Sequence, residues 1–178
     1  MKLFHITKLL LKVFFVAFFL LLTVYVYPKS PDFPNPPSDF VQSFEPADVE
    51  TPLRRGYYTN LTRAEVIAHY EKEFNQGFNI YTPRLNYPPE DAPALIRDQT
   101  KSTFLEEIVH PLRESIYING FEPKEEQYAQ ISDDVRYRQK IIIRYMPSSE
   151  WVRIIVVALA TVFGYLLFAE YINVKNKN

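Results

Sequence analysis

The stretch "LTRAEVIAHYEKEFNQGF", Leu61 to Phe78, is the most legible helix of the chain, and it sets the fold class. Thr62 and Glu65 have the T-x-x-E spacing of a capping box, with Leu61 and Val66 placed as a hydrophobic staple. Val66, Ile67, Tyr70 and Phe74 recur at helical spacing and form one apolar face that must cover something. Gly77 supplies a helix end, and "FNIYT" (78–82) reads onward as a short strand.

The surface that this helix would cover is written in "VRYRQKIIIRYM", Val135 to Met146. Val135, Tyr137, Ile141, Ile143 and Tyr145 alternate onto one face, and Arg136, Arg138, Lys140 and Arg144 onto the other. That is a half-buried strand, and a row of cations suits an edge position, where it deters unwanted pairing. Before the helix, "GYYTN" (56–60) reads as a further edge strand; between helix and strand, "PRLNYPPEDAP" (83–93) reads as turns and "ALIRDQ" (94–99) as a helical piece. In "STFLEEIVHPLRESIYINGFEP" a first element ends near His110, before Pro111, and fits helix and strand equally. A strand follows over 114–118, with Asn119 and Gly120 turning the chain. The expected fold is therefore α+β, a small helix-on-sheet domain over residues 53–147.

Both flanks of that domain are apolar. Residues 9–27, "LLLKVFFVAFFLLLTVYVY", extend about 28 Å as a helix at about 1.5 Å per residue, close to the hydrocarbon thickness of a bilayer if Lys12 snorkels. Val24 to Pro28 offer no small-residue cleavage pair, so the segment reads as an uncleaved signal anchor. Residues 151–172, "WVRIIVVALATVFGYLLFAEYI", read as a second transmembrane helix, with Arg153 and Glu170 near its ends and Ala160 and Gly164 as a small-x-x-x-small pair. Lys2 and Lys8 precede the first span, Lys12 lies in its first turn, and Lys175 and Lys177 follow the second. The positive-inside rule then makes residues 1–8 and 173–178 cytoplasmic tails and the central domain extracytoplasmic, at a plasma or inner membrane. Residues 28–52 hold seven of the 14 prolines and read as a stiff, extended tether.

Composition narrows the chemistry. A net charge of −1 over 178 residues argues against a nucleic-acid binder, and with no cysteine there is no disulfide, thiolate zinc site or cysteine nucleophile. His5, His69 and His110 show no metal-binding spacing, so no metal or cofactor is expected. His69 and His110 read as structural, and Glu71, Glu73, Glu106 and Glu107 as solvated carboxylates. No phosphate-cradling glycine loop or nucleophile elbow occurs. "NLT" at Asn60 is a formal glycosylation sequon that doubles as the approach to the Thr62 cap.

The expected function is thus non-enzymatic, a membrane-anchored binding or scaffolding module with a protein partner at the membrane surface. The alternative is a two-span subunit of an oligomeric transport or envelope-assembly complex, with homo-oligomers in prospect. Only Pro147 to Glu150 separate the basic strand from the second span, which makes Arg136, Arg138, Lys140 and Arg144 candidates to touch anionic lipid or an anionic envelope polymer.

Overall fold

The structure, a computed structural model, describes residues 2–74, 84–87, 103–123 and 125–175. It divides into two compact units. One comprises residues 1–30 with 148–178, and the other is the continuous segment 31–147. The strand expected at 78–82, the helix end at Gly77 and the helical piece at 94–99 lie outside the described residues.

The 31–147 unit is α+β. Strands β1 (Val41–Ser43), β2 (Arg54–Thr59), β3 (Arg84–Tyr87), β4 (Phe104–Val109), β5 (Ser115–Phe121) and β8 (Gln139–Met146) form one antiparallel sheet in the order β1-β2-β8-β5-β4-β3. Strands β6 (Gln130–Ser132) and β7 (Val135–Tyr137) make a separate two-stranded ribbon, entered through a 3₁₀ turn at Glu126–Tyr128. Its loop is Asp133–Asp134, both at positive φ (49° and 61°), the conformation of a type I′ hairpin turn.

Helix α2 (Arg63–Phe74) lies on the sheet as the spacing requires. Val66, Ile67, Tyr70 and Phe74 are all buried, in one cluster with Tyr57, Phe104, Ile108, Ile116, Ile118, Ile141, Ile143 and Tyr145. The capping box forms. The Thr62 amide donates to Glu65 Oε2 at 2.8 Å and the Glu65 amide to Thr62 Oγ1 at 3.3 Å.

Several expectations are corrected. The basic strand is not an edge; β8 is bonded to β2 on one side and β5 on the other. It is also shorter than its alternation suggests. At Arg138 the pattern breaks into β7 and β8, and the Arg138 amide donates to Asn60 Oδ1 at 2.9 Å instead of to a strand. Strand β2 pairs on both sides too. The element before His110 is strand β4, whose inward row is Phe104, Glu106, Ile108 and His110; a glutamate in that row hides the alternation. Asn119 and Gly120 do not turn the chain but pair with Leu105 and Phe104 inside the sheet. A Cβ at residue 120 would collide with the Phe104 ring, so this glycine serves a close aromatic approach. Arg84–Tyr87, expected as turn, is a strand.

The proline-rich stretch is also more than a tether. From Pro31 it belongs to the compact unit, with Phe33 and Phe40 packed on the core and Pro34 buried. The Tyr145 hydroxyl donates to the Pro31 carbonyl at 2.7 Å, and Phe40 meets Tyr57 at 5.3 Å between ring centroids. Extended prolines cannot continue a helix or ladder, but they hold these two aromatics at a spacing that straps the core.

The other unit contains α1 (Lys2–Val26) and α3 (Glu150–Lys175), each with a stretch long and apolar enough to cross a membrane. They run antiparallel, since Val26 meets Arg153 while Phe15 meets both Tyr165 and Phe168 at 5.9 Å. A Cβ at Gly164 would stand 3.1 Å from Phe15 Cε1, so this small residue serves the chain's own helix pair.

Candidate functional site

The four cations singled out by alternation differ in the partners they meet. Arg136, on the β6–β7 ribbon, is paired bidentately with Glu126 at 2.6 and 2.8 Å. Arg138 pairs with Glu122 at 2.9 Å. Arg144 is exposed and, among the described residues, makes no ion pair; its register neighbours are Arg54 and Tyr117.

Lys140 is the residue whose setting the sequence concealed. Its ammonium lies 2.7 Å from Asp48 Oδ2 and 2.9 Å from Glu45 Oε2, both contributed by the turn after β1. Ser43 donates to the same Asp48 oxygen at 2.6 Å, and the Tyr58 hydroxyl donates to Glu45 Oε1 at 2.6 Å. Only 3% of the Asp48 side chain and 13% of the Lys140 side chain are exposed. Gly56 makes this possible, because a Cβ there would stand 2.5 Å from Asp48 Cγ.

The electrostatics follow. The Tyr58 hydrogen bond, then that of Lys140, holds the Glu45 carboxyl below its ordinary value. Burial works against the Lys140 ammonium, yet the hydrogen bonds it donates to Asp48 and Glu45 together keep its pKa above the usual lysine value. Burial, and then the bond to Glu45, pushes the Tyr58 phenol up. Every charged member of this cluster has its counter-charge within it.

Two further polar groups lie on the helix side of the sheet. Glu106 is 1% exposed and bound by the Arg63 guanidinium, so it is no solvated carboxylate, and Glu107 is likewise buried. His110 Nδ1 donates to Glu114 Oε1 at 2.7 Å, Arg113 reaches the same oxygen at 2.8 Å, and the His110 ring stacks on Phe74 at 4.5 Å. His69 donates from Nε2 to the Asn35 carbonyl at 2.8 Å, which places the ring proton on that nitrogen. Its role is to pin the proline strap to α2. Among the described residues no three metal-capable side chains converge.

The residue that sequence reasoning most undervalued is Arg153. It is 4% exposed, and its guanidinium donates to the carbonyls of Val26 (3.0 Å), Pro28 (2.9 Å) and Ser148 (2.9 Å) and to Ser30 Oγ (3.1 Å). Val26 ends α1, where carbonyls lack intrahelical partners. An arginine in the first turn of α3 thus caps the last turn of α1 with its planar fork. The available signal was an arginine two residues inside an otherwise apolar helix.

Comparison of the chain with protein-family models, curated proteins and solved structures gives no match.

Proposed function

We propose that the protein is an integral membrane protein held by α1 and α3, with both termini cytoplasmic and the 31–147 unit extracytoplasmic, acting as a non-enzymatic binding or scaffolding module at the membrane surface. The observation that carries this reading is the exposure of the two helices. Among the described side chains, ten large apolar ones of α1 and twelve of α3 are exposed, Leu21 and Leu167 each to 72%. Full burial of such a side chain is worth about 1.5–3 kcal/mol, so leaving all of them in water would cost tens of kcal/mol, against a net domain stability of about 5–15 kcal/mol. A lipid environment removes that cost, and lysine placement at the chain ends supports the orientation.

The scaffolding role is supported by the way the polar groups of the 31–147 unit engage one another. Lys140, Glu45, Asp48, Glu106, His110 and Glu114 form internal pairs. Of the anionic-surface contact expected from the basic strand, Arg144 is the member that this pairing leaves available.

Because the chain has no native cysteine, single cysteines report topology without background. Ser38→Cys and Gln127→Cys should react with a membrane-impermeant maleimide on intact cells, and Asn176→Cys only after permeabilisation. The reverse pattern would overturn the orientation, and release of the chain by alkaline carbonate would overturn the anchoring.

A further inference from the structure

The contact between α1 and α3 leaves a groove of about 590 Å³ between them. Phe15 and Phe19 of α1 and Ala158, Thr161 and Tyr165 of α3 line it, and the charged group in its wall is Lys12. The small Ala158 provides the depression. The Thr161 hydroxyl already donates to the Val157 carbonyl at 2.7 Å, so it seeks no polar guest and the floor is apolar. Lys12 is exposed and, among the described residues, makes no ion pair.

Depth decides what Lys12 can meet. It stands six residues, about 9 Å, inside the start of the apolar run at Ile6 and about 21 Å from Val26. A helical Cα–Cβ bond leans toward the N-terminus, so the lysine stem carries its ammonium toward the headgroups of the leaflet on that side. An ammonium at the mouth of an apolar groove fits a molecule with an anionic head and a hydrocarbon tail. A third helix suits the groove less well. Phe15 and Tyr165 already touch across it, and a helix about 10 Å wide would ride over the cleft without filling it.

We infer that this groove seats an acyl chain of an anionic phospholipid whose phosphate pairs with the Lys12 ammonium, an inference that rests on reading α1 and α3 as membrane spans. The phosphate meets a charge that the hydrocarbon would otherwise leave unpaired, while the chain fills the space over Ala158.

The test uses the full chain in a neutral detergent, titrated with phosphatidylglycerol or phosphatidylcholine of identical acyl chains and followed by native mass spectrometry. Phosphatidylglycerol should bind about fivefold more tightly, the preference that one basic residue near the headgroups gives. Lys12→Gln should lower phosphatidylglycerol to the phosphatidylcholine level and leave phosphatidylcholine unchanged. Ala158→Phe, which fills the groove, should weaken both lipids, with unchanged helicity by circular dichroism. Equal affinity for the two lipids in the unaltered chain, or a preference that survives Lys12→Gln, would overturn the inference. So would a dimer in light scattering that dissociates on Ala158→Phe, which would assign the groove to a second copy. Failure of the membrane reading is seen separately, as chain released by alkaline carbonate before any lipid is added.

Discussion

Arg153 Nη1 lies 3.0 Å from the carbonyl oxygen of Val26, so a side chain of the second long helix closes the backbone of the first across 127 positions of sequence. The same guanidinium reaches Pro28, Ser30 and Ser148, which a single ammonium cannot do. Arg153→Gln should therefore destabilise the helix pair by about 3 kcal/mol, the range for losing buried charge-assisted bonds, and Arg153→Lys should recover less than half of that. Thermal unfolding in detergent reads both. Full recovery by lysine would mean that charge alone, not the fork, matters.

The capping box gives the most local prediction. Thr62→Ala should cost about 0.5–2 kcal/mol and Thr62→Ser almost nothing, because serine keeps the oxygen that receives the Glu65 amide. Denaturant midpoints at constant slope are the measure.

Gly120 and Phe104 should be energetically coupled. Gly120→Ala alone should cost about 1–3 kcal/mol through overpacking. Combined with Phe104→Leu, which removes the ring, it should cost markedly less than the two changes summed. Strict additivity in that double-mutant cycle would show that the glycine answers to backbone conformation rather than to the aromatic.

The Lys140 cluster makes stability pH-dependent with a defined sign. Glu45 is held below its ordinary 4.5, so its contribution is complete above that value and is lost as pH falls through the lower folded pKa. Lys140 is held above 10.5, so its contribution is complete below that value and fades only as pH rises through the folded pKa. Melting temperature should show a plateau through neutral pH with an acid decline that Glu45→Gln flattens. Lys140→Met, which strands the buried Asp48 carboxylate, should cost about 3 kcal/mol at neutral pH.

The basic residues should differ in their response to anionic membranes. With residues 31–147 shown folded by near-UV circular dichroism, Arg144→Gln should weaken sedimentation with anionic vesicles at low salt. Arg136→Gln, which breaks a pair with Glu126, should change it little. Equal effects would mean that the stripe acts as a single surface.

What was legible in the sequence was whatever short spacing encodes. The α2 cap, its four buried apolar residues and the alternation of β8 from Gln139 to Met146 are all relations between near neighbours. Relations over long separations were not legible. Lys140 meets Glu45 and Asp48 across more than 90 positions, and Arg63 meets Glu106 across 43, which turned apparent surface charges into paired ones. The edge reading of β8 failed for the same reason, since cations tolerate a central strand when distant carboxylates face them. Proline density encoded an extended backbone but not its destination, which Phe33 and Phe40 decide.

The sheet order also has a consequence in time. Strands β2 and β5 are joined only through β8, the last strand of the sheet to be made. From the end of β2 at Thr59 to the start of β8 at Gln139, a ribosome working at about 5–20 residues per second needs about 4–16 s. Through that interval the nascent chain can hold the β1–β2 hairpin and the β3–β4–β5 meander only as separate pieces, each with a long bonding edge open. The strand that closes both edges is followed after three residues by the apolar α3. Completion of the sheet and delivery of the second hydrophobic segment are therefore nearly simultaneous, and a chain arrested before β8 is made, with both edges open, is the form most exposed to capture by a chaperone or by another copy of itself.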